Sequence, residues 1–374
     1  MLQEDVTQHG QHATRPLVSA RRRIGWAMFG VLFSAIVYLF YFGGYRRLLV
    51  DESASFAIEL TMRILDAKRD AKLLVVGNST VAEGFRASSY NKATAPDTSL
   101  NLGVGSAHFF LYEKLVALAL ERGIRPQAVL LVLVPELLNQ PRGYDTVLND
   151  LTLMKTELGA DDYLRLWRHS GSAQAYMEHA GRLALRPALY TADMKDLLTH
   201  LVPRARKILV TQEWLKTAGN DPEAFETDNQ FAVCNAGPLR ELEQSIARER
   251  TTPDSARLAD LERVWAGYSV RVHQPLTVDA FQAQRLERLL NYVAAHVPHV
   301  YVASAPYFDP DFDAYPAEYR SAAQQTLNEV TAKVRGVTLL PEFPSDCTMF
   351  FDTVHLNRAG GEKFTTFLRE HIEN

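Results

Sequence analysis

The sequence predicts an α/β domain with a doubly wound parallel sheet, set behind one apolar segment near the N-terminus. Three observations predict it. Five short apolar runs, 73–76, 99–102, 129–134, 300–303 and 337–340, each lead into turn residues or a break, as strands buried on both faces do. Helical stripes lie between some of them: Tyr112, Leu115, Val116 and Ala119, then Leu286, Leu289, Leu290, Val293 and Val297, and last Phe364, Phe367, Leu368 and Ile372. The length of 374 residues and the 47% hydrophobic content suit one large domain or two small ones. Strand–helix alternation of this kind belongs to α/β sheets.

In chain order, residues 1–23 are largely polar and read as a cytoplasmic tail, disordered over residues 1–20. Residues 24–45 carry no charge. At about 1.5 Å per helical residue they cross a hydrocarbon core of roughly 30 Å. The aromatic end, from Tyr38 to Tyr45, suits a membrane interface. A buried core helix and a cleavable signal peptide are the rivals. A signal peptide has a shorter apolar region and a small-residue cleavage site, whereas Gly43-Gly44-Tyr45-Arg46-Arg47 follows here, so an uncleaved anchor is expected. Arg15, Arg21, Arg22 and Arg23 precede the span, against Arg46 and Arg47 after it. The positive-inside rule then leaves the rest of the chain extracytoplasmic, on a single-pass anchor in the cytoplasmic membrane.

The third and fourth apolar runs stand far more than one crossover helix apart. Residues 142–280 are expected as a mostly helical insertion, and 46–141 with 281–374 as the domain that carries the chemistry. Leu239, Leu242 and Ile246 mark one insertion helix. Leu258, Leu261 and Val264 mark another, with Asp254 after Pro253 as its cap. The insertion is expected to pack over the sheet edge or the active face.

The net charge of -4 and the lack of a basic stripe with interleaved aromatics give no argument for nucleic acid. Two cysteines occur, Cys234 and Cys347. An oxidising compartment permits a disulfide between them, and two buried thiols are the other reading. No cofactor is implied, and no Cys/His cluster has zinc-ligand spacing. His296 and His299 flank Pro298, which spoils a helical pair.

The chemistry gathers in two places. Gly77-Asn78-Ser79 ends the first strand, and Val81–Phe85 can begin a helix. A serine there has free N–H groups beside it that stabilise negative charge. An N-cap serine is the ordinary alternative. Asp352-Thr353-Val354-His355 follows the last strand and a loop with Pro341 and Pro344, and precedes the terminal helix. By composition this spacing arises by chance about half a time in such a chain. On one loop, however, it lets Asp352 turn back to hold the His355 ring. Ser79 as nucleophile, His355 as base and Asp352 as orienting group form the set that carries acyl transfer. The C-terminal edge of an open sheet is where α/β folds bring such groups together. His108, close after Gly105, can line the site, although a histidine on the surface or behind the site is the stronger expectation. Tyr307, Phe308 and Asp309 are candidates to shape a groove.

Together these motifs resemble the SGNH (GDSL-like) hydrolase superfamily, over roughly residues 70–140 and 298–374. The resemblance implies a flavodoxin-like three-layer fold with a sheet of about five strands. Gly77-Asn78-Ser79 is similar to the first block, with Asn78 replacing the common Asp. Asn101-Leu102-Gly103-Val104-Gly105 resembles the second, whose glycine gives an oxyanion N–H, so Gly103 and Gly105 are candidates beside the Ser79 N–H. Asp352 to Asn357 matches the last block. The third block departs from Gly-x-Asn-Asp: the chain has Val134-Pro135-Glu136-Leu137-Leu138-Asn139. Ionised Glu136 cannot donate, which leaves Asn139, in a shifted register, as the candidate donor.

The same resemblance extends to membrane-anchored proteins of alginate O-acetylation and teichoic-acid D-alanylation. It implies O-acylation of a cell-surface polysaccharide beside a multi-span membrane O-acyltransferase. An esterase that releases acyl groups from glycans is the first alternative. A non-catalytic partner of the membrane acyltransferase is the second.

Overall fold

The computed structural model describes residues 15–42, 54–94, 98–139, 145–217, 239–251, 258–259, 261–262, 265, 276–307, 317–352 and 354–373. Several expectations fall outside these residues: positions 1–14, 43–47, 253, 254 and 264, Cys234, Phe308 and Asp309.

Helices α1 (Arg15–Tyr41) and α2 (Ala54–Ala67) precede β1 (Leu73–Gly77). Next come α3 (Ser79–Gly84), α4 (Ala87–Ala93), β2 (Ser99–Gly103), α5 (Phe109–Glu121) and β3 (Ala128–Leu133). The long insertion carries α6 (Thr146–Leu153), α7 (Asp162–His169), α8 (Ala173–Ala184), α9 (Thr191–Thr199), α10 (Leu201–Thr217) and α11 (Leu239–Glu249). The chain then returns through α12 (Ala280–His296), β4 (His299–Ser304), α13 (Ala317–Lys333), β5 (Val337–Leu339) and α14 (Arg358–Ile372).

The five strands pair in parallel in the order β2-β1-β3-β4-β5. That is the order of flavodoxin-like sheets, which reverse direction between their first and third strands. Each apolar run of the sequence is one of these strands, with ends displaced by no more than one residue. Alternation explains the absence of polar positions in the central strands. Leu74, Val76, Val129 and Leu131 enter one core, and Leu73, Val75, Leu130 and Val132 enter the other. Helices therefore cover both faces, and no strand residue of β1 or β3 faces water.

Ile246 of α11 and Leu261 join the core on one face of the sheet, but the helices α6 to α9 pack elsewhere than expected. They lie outside the layer made by α5 and α12, and α6 reaches the sheet's C-terminal rim, where Asn149 Nδ2 donates to the Ser106 carbonyl at 2.8 Å. The reason is charge. Glu113 and Lys114 of α5 are buried, and buried charges need partners. Helix α7 supplies them: Asp162 Oδ2 stands 3.0 Å from Lys114 Nζ, and His169 Nε2 2.8 Å from Glu113 Oε2. Arg165 bridges Glu113 and Asp162.

Within α1, residues Arg22–Tyr41 are long and apolar enough to cross a membrane, and 6% of that segment is buried in the fold. Cys347 is disulfide-bonded.

Candidate active site

Ser79 opens α3 two residues beyond Gly77, the C-terminal end of β1. Asn78 makes the junction. Its Oδ1 accepts the Thr80 N–H at 3.0 Å and the Thr80 hydroxyl at 2.8 Å, while its carbonyl accepts from Val81 and Ala82. The Ser79 N–H, one position earlier, has no protein partner among the described residues. Helix α3 can lie this close to the sheet because two glycines face it. A Cβ on Gly77 would stand 2.3 Å from Val81 Cγ2, and one on Gly103 would stand 2.2 Å from the Ala82 nitrogen. Asn101 ties the far end of α3 to β2: its Nδ2 donates to the carbonyls of Val81 at 2.9 Å and Phe85 at 2.8 Å. The last carbonyls of a helix need such donors.

Ser79 faces a cavity of about 280 Å³, with Ser106, His108, Glu136, Tyr307 and Val354 among its walls. Ser79 follows β1 and Glu136 follows β3, so the cavity sits where the strand order reverses, the usual ligand crevice of an open sheet.

Asp352 and His355 form the second half. Asp352 Oδ2 lies 2.7 Å from His355 Nδ1. Asp352 Oδ1 accepts the backbone N–H of Val354 at 2.8 Å and of His355 at 2.7 Å. Burial alone would raise this carboxyl, but the His355 ring and the two N–H groups outweigh burial and hold it below the ordinary range. The pairing assigns the proton to Nδ1 and leaves the Nε2 lone pair free. Phe351 stacks on the ring with centroids 5.6 Å apart. His355 Nε2 is buried and has no hydrogen-bond partner among the described residues. Ser79 is therefore not hydrogen-bonded to it here. The loop that carries His355 nevertheless borders α3. Glu83, one turn beyond Ser79, has its carboxyl raised chiefly by burial, with His355 opposing and Asp352 adding to the rise. Leu356 stands 3.3 Å from where a Cβ on Gly84 would be.

Two of the candidate oxyanion donors do different work. The Gly103 N–H donates to Asn101 Oδ1 at 2.9 Å, closing the strand end, and is not offered to the cavity. Asn139 lies on an antiparallel bridge with Val278, and its Oδ1 accepts the Thr277 N–H at 2.9 Å. It fastens the return of the insertion. Gly105 sits in the turn from Val104 to Ala107, whose third residue, Ser106, has φ 60°. The turn meets the cavity through Ser106 and Ala107 rather than Gly105. Of the groups named from sequence, the Ser79 N–H remains the donor next to the Ser79 hydroxyl.

One group was underrated in the sequence. His108 lines the cavity, and Asp150 of α6 backs it. Asp150 is fully buried, accepts the N–H groups of His108 and Leu111 at 3.0 Å each, and lies 3.5 Å from His108 Nδ1. This carboxylate caps α5 from another element, a role no local sequence pattern announces. Behind it, fully buried Arg285 donates to Thr146 Oγ1 at 2.8 Å and Gln282 Oε1 at 3.0 Å. Among the described residues no three His, Cys, Asp or Glu side chains gather as a metal site.

No protein-family model matches the chain, and no curated protein matches it either.

Proposed function

We propose that the protein is a membrane-anchored SGNH-type acyl-transfer enzyme that works outside the cytoplasm on a cell-surface polysaccharide. One observation carries the proposal. An Asp352–His355 pair, with its outer nitrogen buried and unpartnered, flanks the helix that Ser79 heads above a cavity at the sheet's reversal point. The disulfide at Cys347 fits an oxidising compartment, and α1 fits an anchor.

In this reading Ser79 Oγ attacks the carbonyl carbon of an acyl donor as His355 Nε2 takes its proton. Asp352 stabilises the imidazolium, and the Ser79 N–H meets the oxyanion. Collapse expels the donor's leaving group, which receives the proton from His355. A sugar hydroxyl then attacks the acyl-serine as His355 takes its proton, and collapse releases the new ester while His355 returns that proton to Ser79 Oγ. In this reading the Ser79–His355 hydrogen bond forms when substrate arrives, as catalytic hydrogen bonds often tighten only then. A multi-span membrane O-acyltransferase is the proposed source of the acyl group. Water in place of the sugar turns the same steps into an esterase.

The engaged Gly103 N–H and the open Ser79–His355 pair favour a second reading, a non-catalytic partner of that acyltransferase. A reconstituted assay separates the three. Transfer to a bare glycan that Ser79→Ala abolishes supports the enzyme. Release from an acylated glycan without transfer supports the esterase. Transfer that Ser79→Ala leaves unchanged supports the partner and overturns the proposal.

A further inference from the structure

Outside the apolar segment of α1, the large hydrophobic side chains exposed among the described residues fall within one stretch, residues 164–210. Leu198 is 77% exposed, Leu209 and Val210 68% each, and Leu201 and Val202 61% each. Exposed apolar surface concentrated in this way marks an interaction site.

The same stretch grips the end of α1. Phe40 packs on Tyr190 with ring centroids 5.1 Å apart, and the Tyr41 hydroxyl donates to the Ala184 carbonyl at 2.5 Å. Arg186 donates to the Tyr41 carbonyl at 3.4 Å and lies over the Tyr41 ring. A groove of about 540 Å³ runs between them, walled by Phe33, Ile36 and Val37 of α1 on one side and Leu185 and Pro187 on the other. Side chains of the apolar α1 segment thus share one groove with Leu185, itself one of the exposed side chains of the insertion.

Orientation follows from Arg204. This buried residue of α10 pairs with Asp196 and stands 3.8 Å from Asp193, both on α9. At 3.6 residues per turn, Val202 and Leu209 lie roughly 140–160° around the helix from Arg204. The ion pairs that fix α10 to α9 therefore turn Val202 and Leu209 away from the protein.

We propose that the surface formed by residues 185–210 lies in the headgroup region of the bilayer that α1 crosses. It would work as an interfacial helix pair does, with apolar side chains in the acyl boundary and Arg186 and Arg206 at the level of anionic headgroups. The insertion then sets how the domain stands on the membrane. The inference rests on reading α1 as a membrane span. A lipid surface is favoured over a protein partner because the groove's far wall is the span itself.

The test uses the full chain in vesicles of phosphatidylethanolamine and phosphatidylglycerol. Spin labels are placed one at a time through Phe33→Cys, Val202→Cys, Leu209→Cys and, as a water-facing control, Ser321→Cys. Collisions with oxygen and with a water-soluble nickel chelate are measured. The proposal expects labels at 202 and 209 to favour oxygen, less strongly than the label at 33, while 321 favours nickel. If 33 favours oxygen but 202 and 209 match 321, the span stands and the proposal fails. If 33 also favours nickel, both fail. If 202 and 209 lose contact with nickel only when a membrane protein is added, the occupant is protein and the proposal is overturned.

Discussion

Asp352 holds His355 at both ends of the residue: one carboxylate oxygen meets the ring Nδ1 at 2.7 Å, and the other accepts the backbone N–H at 2.7 Å. The same side chain thus sets where the loop turns and which nitrogen carries the proton.

That double role predicts the effect of Asp352→Asn. An amide can still accept the backbone N–H, so the loop persists, but it no longer enforces the protonated Nδ1. By analogy with the serine-protease triad, kcat for acyl transfer falls on the order of 10⁴-fold with little change in fold. Steady-state rates and circular dichroism on the full chain check it. Because the folded carboxyl is lowered, its contribution to stability is present above the ordinary Asp value of about 4 and fades as pH falls below it.

His169 predicts a second acid response at higher pH. Burial, helped by the Arg285 cation, lowers its pKa to about 4 against the opposing pull of Glu113. Its neighbours fit the neutral ring: Nε2 faces Glu113, and Nδ1 receives Arg285 Nε at 3.4 Å. The unfolded chain takes up this proton near pH 6.5 and the folded chain does not. Stability is therefore complete above about pH 6.5 and declines as pH falls toward 4, by on the order of 3 kcal/mol. Denaturant titrations across that window test it. His169→Gln flattens the slope if His169 is its source.

Gly103→Ala is expected to damage both stability and rate. The added methyl meets the Ala82 nitrogen at 2.2 Å and its Cα at 2.7 Å, which is backbone and cannot rotate aside. Overpacking of this kind typically costs about 1–3 kcal/mol. Relief requires α3 to move, and Ser79 moves with it. A melting curve and a rate measured on the same preparation show whether the two losses coincide.

Asp150→Ala removes one of the carboxylates that favour the buried Arg285 cation, with Asp145 and Asp279 remaining, and leaves the N–H groups of His108 and Leu111 without acceptors. Removing one member of a buried charge set commonly costs about 3–5 kcal/mol. Denaturant unfolding of the full chain reads the loss, and a cost below about 1 kcal/mol contradicts the capping role.

The sheet was legible because both faces of its central strands are covered. Runs such as Leu73 to Val76 then have no polar positions to confuse the period. Asp352 and His355 were legible because a three-residue spacing on one loop has few ways to close. What escaped was everything set by contact between distant elements. Asn139 matched an approximate motif position, yet its side chain answers to Thr277, 138 residues away. Gly103 was named for its N–H, whereas its missing side chain is what the packing uses. Asp150 gave no sign in the sequence, because its partners, His108 and Leu111, lie some forty residues earlier. The insertion's placement was hidden for the same reason: it depends on pairing Glu113 and Lys114, two charges that the helical pattern of α5 alone would leave in the core.

The most direct measurement is intact and peptide mass spectrometry of the full chain after a fluorophosphonate probe. An activated serine yields one phosphonylated peptide, at Ser79, and the adduct disappears in Ser79→Ala and drops sharply in His355→Ala. A wild-type protein that is folded yet stays unlabelled at Ser79, or is labelled equally without His355, contradicts the account.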